Sequence, residues 1–318
     1  MTIATTPVET RMTPLTWGLL ALLGLIWGAS FFFGRIAVQH VPAFTLVFLR
    51  VSIAALALHL FVRGRFDIYK ALAARWRAFL VLGLLNNAIP HSFIFLGQTQ
   101  IGAGLASILN ATTPIWTVLL AHVLTNDEKL SPLKIGGTAL GLAGTVLLIG
   151  PSALGHLGAT SHGIPLWALI LPLGAAISYG FAGIYGRRFR GLAPPVTAAG
   201  QLTASSLIML PVSLLADHPW TLAMPPLTTI LAILALALVS TAYGYILFFR
   251  IMARAGATNT SLVTLLVPPS ALLFGLAFLG ERLDITDIAG MTLIAAGLIV
   301  LDGRLLARRK PGQDVVNT

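Results

Sequence analysis

The chain has 318 residues, 57% of them apolar and only 9% charged, with a mean hydropathy of +0.90 and a net charge of +10. A soluble domain carries about 25% charged residues, so most of this chain must face lipid or other apolar helices. The basic excess is no nucleic-acid footprint, because the cations fall in short loops between apolar runs, and the absence of cysteine excludes disulfides and thiolate metal sites.

Taken in order, apolar runs of spanning length fall at 15–36, 42–62, 78–98, 101–123, 134–150, 165–186, 194–215, 227–249, 257–280 and 285–303. The first follows Arg11 and contains Gly28-Ala29-Ser30, but it is too long for the apolar core of a signal peptide and has a counterpart later, so it reads as a span. The fifth is short and opens on Ser131-Pro132. Serine caps a helix start, and proline at the first position loses no hydrogen bond. The loops check this map. With ten spans, 17 of the 20 Lys and Arg residues lie on one side, including Arg63 to Arg77, Lys129, Lys134, Arg187 to Arg190, Arg250, Arg254 and Arg304 to Lys310. The positive-inside rule then puts both termini in the cytoplasm of a multi-pass inner-membrane protein.

The order of motifs repeats. Trp27-Gly28, Gly34-Arg35 and Pro42 recur about 152 residues on as Tyr179-Gly180, Gly186-Arg187 and Pro194. Glu128-Lys129-Leu130 recurs as Glu281-Arg282-Leu283, and Gly137 and Gly144 as Gly290 and Gly297. Each unit, 1–151 and 152–318, holds five spans. Five is odd, so the second unit enters the membrane from the opposite face, giving an all-α architecture of two inverted five-helix repeats around a central cavity. Trp27-Gly28-Ala29-Ser30, Arg50, the Glu-Lys/Arg-Leu ends of the fourth and ninth runs and the glycine-rich fifth and tenth runs resemble the EamA-type drug/metabolite transporters over nearly the whole chain. The resemblance implies a ten-helix fold with a central cavity and export of small metabolites, often amino acids, and leaves the substrate open.

Mid-span polar residues are the candidates for a site. Pro90, Pro114 and Pro268-Pro269 interrupt three spans and free the carbonyls of Asn86, Asn110 and Thr264, which inside a bilayer must meet protein or cavity water. Asn87 and His91 lie four apart beside Asn86 and share a face. The matching stretch of the eighth run carries Ser240, Thr241 and Tyr243. Trp27 and Ser30 in the first run, and Ser178 and Tyr179 in the sixth, sit at mid-depth. The substrate-binding set expected is therefore Trp27, Ser30, Asn86, Asn87, His91, Asn110, Ser178, Tyr179, Ser240 and Tyr243, with interhelical hydrogen bonding as the competing role. Arg50 lies about 12 Å along the second span at 1.5 Å per residue. It either pairs with a substrate carboxylate or has a structural role, snorkelling to the outer face or tying down carbonyls, and the resemblance favours the structural role. Glu128 and Glu281, at span ends, read as solvated or capping groups. Gly137, Gly141 and Gly144 form a small-residue face for helix packing or a dimer contact, so a monomer or weak homodimer is expected.

These features point to a carrier of small molecules with membrane lipid as its surroundings, no cofactor and no nucleic-acid partner. Efflux of hydrophobic drugs or cations is a rival reading, weakened because no acidic residue lies near the middle of a span. An intramembrane enzyme is disfavoured by the lack of HExxH, GxSxG and paired mid-span aspartates. A passive channel would differ in lacking saturable uptake and counterflow.

Overall fold

The computed structural model describes residues 13–63, 67–125, 131–149, 164–189, 191–260, 263–282 and 284–302, and among them the regular elements are helices. Helix α1 runs Pro14–Ala37 and α2 Ala43–Val62. Next come α3, Ile68–Gly83, a π-helical turn at Leu84–Ala88, and α4, Ile89–Gln98. Helices α5 (Ala103–Asn110) and α6 (Thr113–Leu124) meet at a break, and α7 covers Pro132–Ile149. The second half holds α8 (Leu166–Tyr185) and α9 (Pro194–Ala216). After them come α10 (Leu227–Leu234), a second π-helical segment at Ala235–Tyr243, and α11 (Gly244–Thr260). Helices α12 (Val263–Phe278) and α13 (Ile285–Asp302) close the order.

Seven of these helical segments are long and apolar enough to cross a membrane: Pro14–Ala37, Ala43–Val62, Ile68–Gln98, Ala103–Leu124, Leu166–Phe189, Pro194–Ala216 and Leu227–Met252. The other three apolar runs fall on α7, α12 and α13, the last two carrying shorter apolar stretches at Leu266–Phe278 and Ile288–Val300. The exposed surface agrees with a lipid setting. Leu56, Leu60, Val123, Leu207, Leu215 and Leu273 all turn outward, a belt that in water would be an aggregation surface.

The starts follow local chemistry. The Thr13 hydroxyl caps α1 by accepting from the Thr16 amide at 3.2 Å, with Pro14 in the first turn. Ser131 does the same for α7 through the Lys134 amide at 3.3 Å, ahead of Pro132. Packing pairs α1 with α12 and α11, α2 with α9 and the second π segment, α4 with α8, α6 with α8, α5 with α12, and α7 with α13. The last pair meets through glycine. A Cβ on Gly144 would lie 2.7 Å from the Gly290 carbonyl, and one on Gly297 would lie 2.7 Å from that of Gly137. The small-residue face is thus used inside the chain.

Candidate functional site

The centre of the bundle is built on the first π turn. Its register is five residues, since the Ile89 amide donates to the Leu84 carbonyl. Pro90 follows with no N–H, so the carbonyl left without its helical donor is that of Leu85, one residue before the Asn86 carbonyl that α-helical counting selects. The Ser178 hydroxyl, from α8, donates to it at 2.7 Å. Hydroxyls close the α5–α6 break as well. Thr112 donates to Leu109 O at 2.7 Å, and Thr113 to Asn110 O at 2.7 Å.

Around the π turn lies a buried polar cluster. Asn86 Nδ2 donates to Gln201 Oε1 of α9 at 2.9 Å and lies 3.5 Å from the Tyr245 hydroxyl. That hydroxyl points at Asn87 Oδ1, 3.4 Å away. The His91 ring sits 6.5 Å from that of Tyr179, edge-on, and 6.4 Å from that of Phe95. Arg50 enters from α2. It is only 9% exposed, donates from Nε to Thr241 Oγ1 at 2.9 Å, and holds its guanidinium carbon 5.8 Å from the Phe95 ring centre. Arg50 also lies within electrostatic reach of His91, Tyr179 and Tyr245. It does not snorkel outward.

Several cluster atoms have no hydrogen-bond partner among the described residues: Asn87 Nδ2, His91 Nδ1 and, in the second π segment, Ser240 Oγ. Native interiors rarely leave buried polar groups unpaired, and such groups call for a ligand or water. The Asn110 side-chain oxygen at the α5–α6 break is unpaired in the same way.

The structure thus brings Asn86, Asn87, His91, Ser178 and Tyr179 together. Trp27 and Ser30 lie along α1 instead. Ser30 donates to the Trp27 carbonyl at 2.6 Å, and Trp27 stacks on Phe248 at 5.5 Å. Phe248 meets Phe249, which stacks on Tyr245, so an aromatic run joins Trp27 to the cluster. Tyr243 does not belong with them. It is 46% exposed where Thr241 is 2% exposed, because residues two apart on a helix do not share a face. Tyr245, four residues beyond Thr241, occupies the inward place. Residue spacing from Thr241 signals Tyr245, and the lone glutamine midway along the seventh run signals Gln201.

Charges at the ends of the bundle are handled differently. Glu281 accepts from the Ala103 amide at 2.6 Å and the Gly104 amide at 3.0 Å, capping α5. Asp217 accepts from the Thr45 amide at 2.6 Å and the Thr45 hydroxyl at 2.9 Å, in the first turn of α2. Arg35 donates to the Gln98 carbonyl, and Gln98 Nε2 donates to the Phe31 carbonyl at 2.8 Å. Glu128 lies outside the described residues.

The sequence profile of the EamA-like transporter family matches residues 15–150 and again residues 166–301. An uncharacterized inner membrane transporter, YedA, of Escherichia coli (strain K12) is 29% identical over 306 residues, which cover 95% of each chain. A probable amino-acid metabolite efflux pump of Salmonella typhimurium is 30% identical over 297 residues, covering 89% of this chain and 93% of that one. A crystal structure superposes with a TM-score of 0.65 over 94% of this chain and all of the other at 21% identity, a likeness of fold alone. With two profile matches that together fill most of its length, on a bundle whose outer surface suits lipid, the chain belongs to the EamA-like transporter family and is a multi-pass membrane transporter.

Proposed function

We propose that the chain is a secondary transporter that exports small metabolites, amino acids first among them, across the cytoplasmic membrane by alternating access. The observation that carries this reading is the central cluster: donors and acceptors from α2, α8, α9 and both π segments converge there with atoms left unpaired. In this reading Asn86, Asn87, His91, Tyr179 and Tyr245 line the substrate site, and Trp27 covers one approach to it. The description of the Salmonella relative as an amino-acid metabolite efflux pump supports the substrate class.

Ten spans in two inverted repeats, 1–151 and 152–318, would provide the two exchanging forms. Supporting this, the helix pairing survives exchange of the halves: α1 with α12 answers to α8 with α6, and α4 with α8 answers to α11 with α1. Both termini lie in the cytoplasm in this arrangement. Single cysteines at Leu157→Cys and Lys310→Cys test it, since only the first should react with an impermeant reagent from outside.

Counterflow of radiolabelled amino acids in proteoliposomes tests the function. Saturable exchange of at least one amino acid is expected; if none exchanges, the substrate class is wrong. Proton-driven carriers usually hold a titratable carboxylate or histidine in the pathway; no acidic residue sits near the middle of a span, and of the histidines only His91 does. A substrate gradient alone should therefore drive flux, without a pH or sodium gradient. Accumulation against a substrate gradient under an imposed pH gradient, lost in His91→Leu, would make His91 a proton carrier.

A further inference from the structure

The central cluster is rich in donors and has one fixed positive charge, yet no carboxylate of the described residues comes near Arg50. Those of Asp217 and Glu281 are engaged at helix starts. Burying an arginine in a membrane bundle is costly, and such residues pair with an anion, carbonyls or a water-filled path.

The contacts of Arg50 define which part of it is free. Its Nε donates to Thr241 Oγ1, and the Thr241 hydroxyl in turn donates to the Leu236 carbonyl at 2.8 Å, five residues back in the π segment. This relay fixes the plane of the guanidinium, and Phe95 lies against one side of it. The Nη1 and Nη2 groups have no acceptor among the described residues. In the same cluster Asn87, whose Oδ1 faces the Tyr245 hydroxyl at 3.4 Å, carries in Nδ2 a second donor with no acceptor among the described residues, on a residue wholly removed from solvent. An oriented guanidinium edge in a cluster that also holds a free amide donor lacks one thing, a planar acceptor carrying negative charge. A carboxylate meets that need, with two oxygens able to take parallel N–H bonds.

We propose that Arg50 is the specificity-determining group of the site: its Nη edge, helped by Asn87 Nδ2, takes a carboxylate of the solute and selects carboxylates over otherwise identical amides and amines. This rests on the transport reading above and names the chemistry that its substrates share. The competing role is a brace between α2 and the second π segment, with no ligand on the Nη edge.

The test compares amino acids and short monocarboxylates with their own amides, on full-length wild type, Arg50→Gln and Arg50→Lys. Inhibition of counterflow is one arm, and thermal shift of the purified protein in chloride-free buffer is the other. In wild type the acids should act about ten- to a hundredfold more strongly than the amides, the range expected for a charge-assisted hydrogen-bonded pair. Arg50→Gln should bring that ratio to about one, and Arg50→Lys should keep part of it. Should no solute exchange, the transport reading fails, while the thermal-shift arm still decides the carboxylate site. The proposal is overturned by equal shifts from acids and amides in wild type, or by no shift from any carboxylate. An acid preference intact in Arg50→Gln, or stabilisation by chloride but by no carboxylate, overturns it too. If Arg50→Gln fails to fold, the wild-type comparison and Arg50→Lys decide the outcome.

Discussion

The bundle holds its charges in two ways. Where α2 and α5 begin, the carboxylates of Asp217 and Glu281 each accept two hydrogen bonds from the first turn of a helix. There they answer both the orphan amides and the positive end of the dipole. Glu281 is also enclosed: a Cβ added at Gly102 would come within 2.6 Å of it, and one at Gly275 within 2.3 Å. In the centre the opposite holds. Among the described residues Arg50 finds an acceptor for one of its three nitrogens, while Asn87 and His91 each leave a buried atom unpaired. Side chains whose bonding capacity is spent hold the structure together. Those with capacity in reserve can serve a ligand.

The largest effect that can break this contrast is on transport at the centre. His91→Leu and Asn87→Leu should each lower counterflow at least about tenfold without lowering the melting temperature, because an unpaired buried polar group already carries a penalty of about 1–3 kcal/mol. Full transport with raised stability would mean that both are packing residues.

The rim should answer in reverse. Glu281→Ala removes the cap of α5 and should cost about 0.5–2 kcal/mol, the range for losing a helix cap. Glu281→Gln keeps the shape and one acceptor, so its fall in melting temperature should be smaller. Counterflow per folded molecule should stay within about twofold, since the effect is on a helix start. Thr45→Val, which removes one of the two bonds to Asp217, should cost about 1 kcal/mol. A rim variant that folds as well as wild type but does not transport would place the carboxylates in the transport path instead.

Much of this contrast is legible in the sequence, because hydropathy and helical spacing are strong local signals. Apolar runs locate the helices, Ser131-Pro132 marks the start of α7, and the glycines on the fifth and tenth runs face each other across α7 and α13. Asn87 and His91, four apart, are both buried. The misplaced carbonyl has its source in π-helical register. A five-residue repeat around Pro90 moves the freed carbonyl from Asn86 to Leu85, which 3.6-residue counting cannot show. The partner of Arg50 is invisible for another reason. Thr241 is 191 residues away, and its contact depends on how α2 meets the second π segment. Among the described residues seven segments reach spanning length, and the other three of the ten hydropathy runs fall on α7, α12 and α13.

The smallest expected effect separates the two tyrosines of the eighth span. Tyr245 places its hydroxyl between the two asparagines, 3.5 Å from Asn86 Nδ2 and 3.4 Å from Asn87 Oδ1. Both distances are long for such bonds, so Tyr245→Phe should leave stability nearly unchanged. It does remove a polar group from the proposed site, and counterflow should fall about two- to tenfold, the equivalent of one weak neutral hydrogen bond. Tyr243→Phe changes a half-exposed ring on the face opposite Thr241 and should match wild type in rate and melting temperature. Initial counterflow rates, normalised to protein in the vesicles, decide between them. Equal losses in both variants would mean that the eighth span turns during transport and brings Tyr243 inward. Loss in Tyr243→Phe alone would invert the face assigned here. Only a deficit confined to Tyr245→Phe agrees with a site entered by the face that carries Thr241.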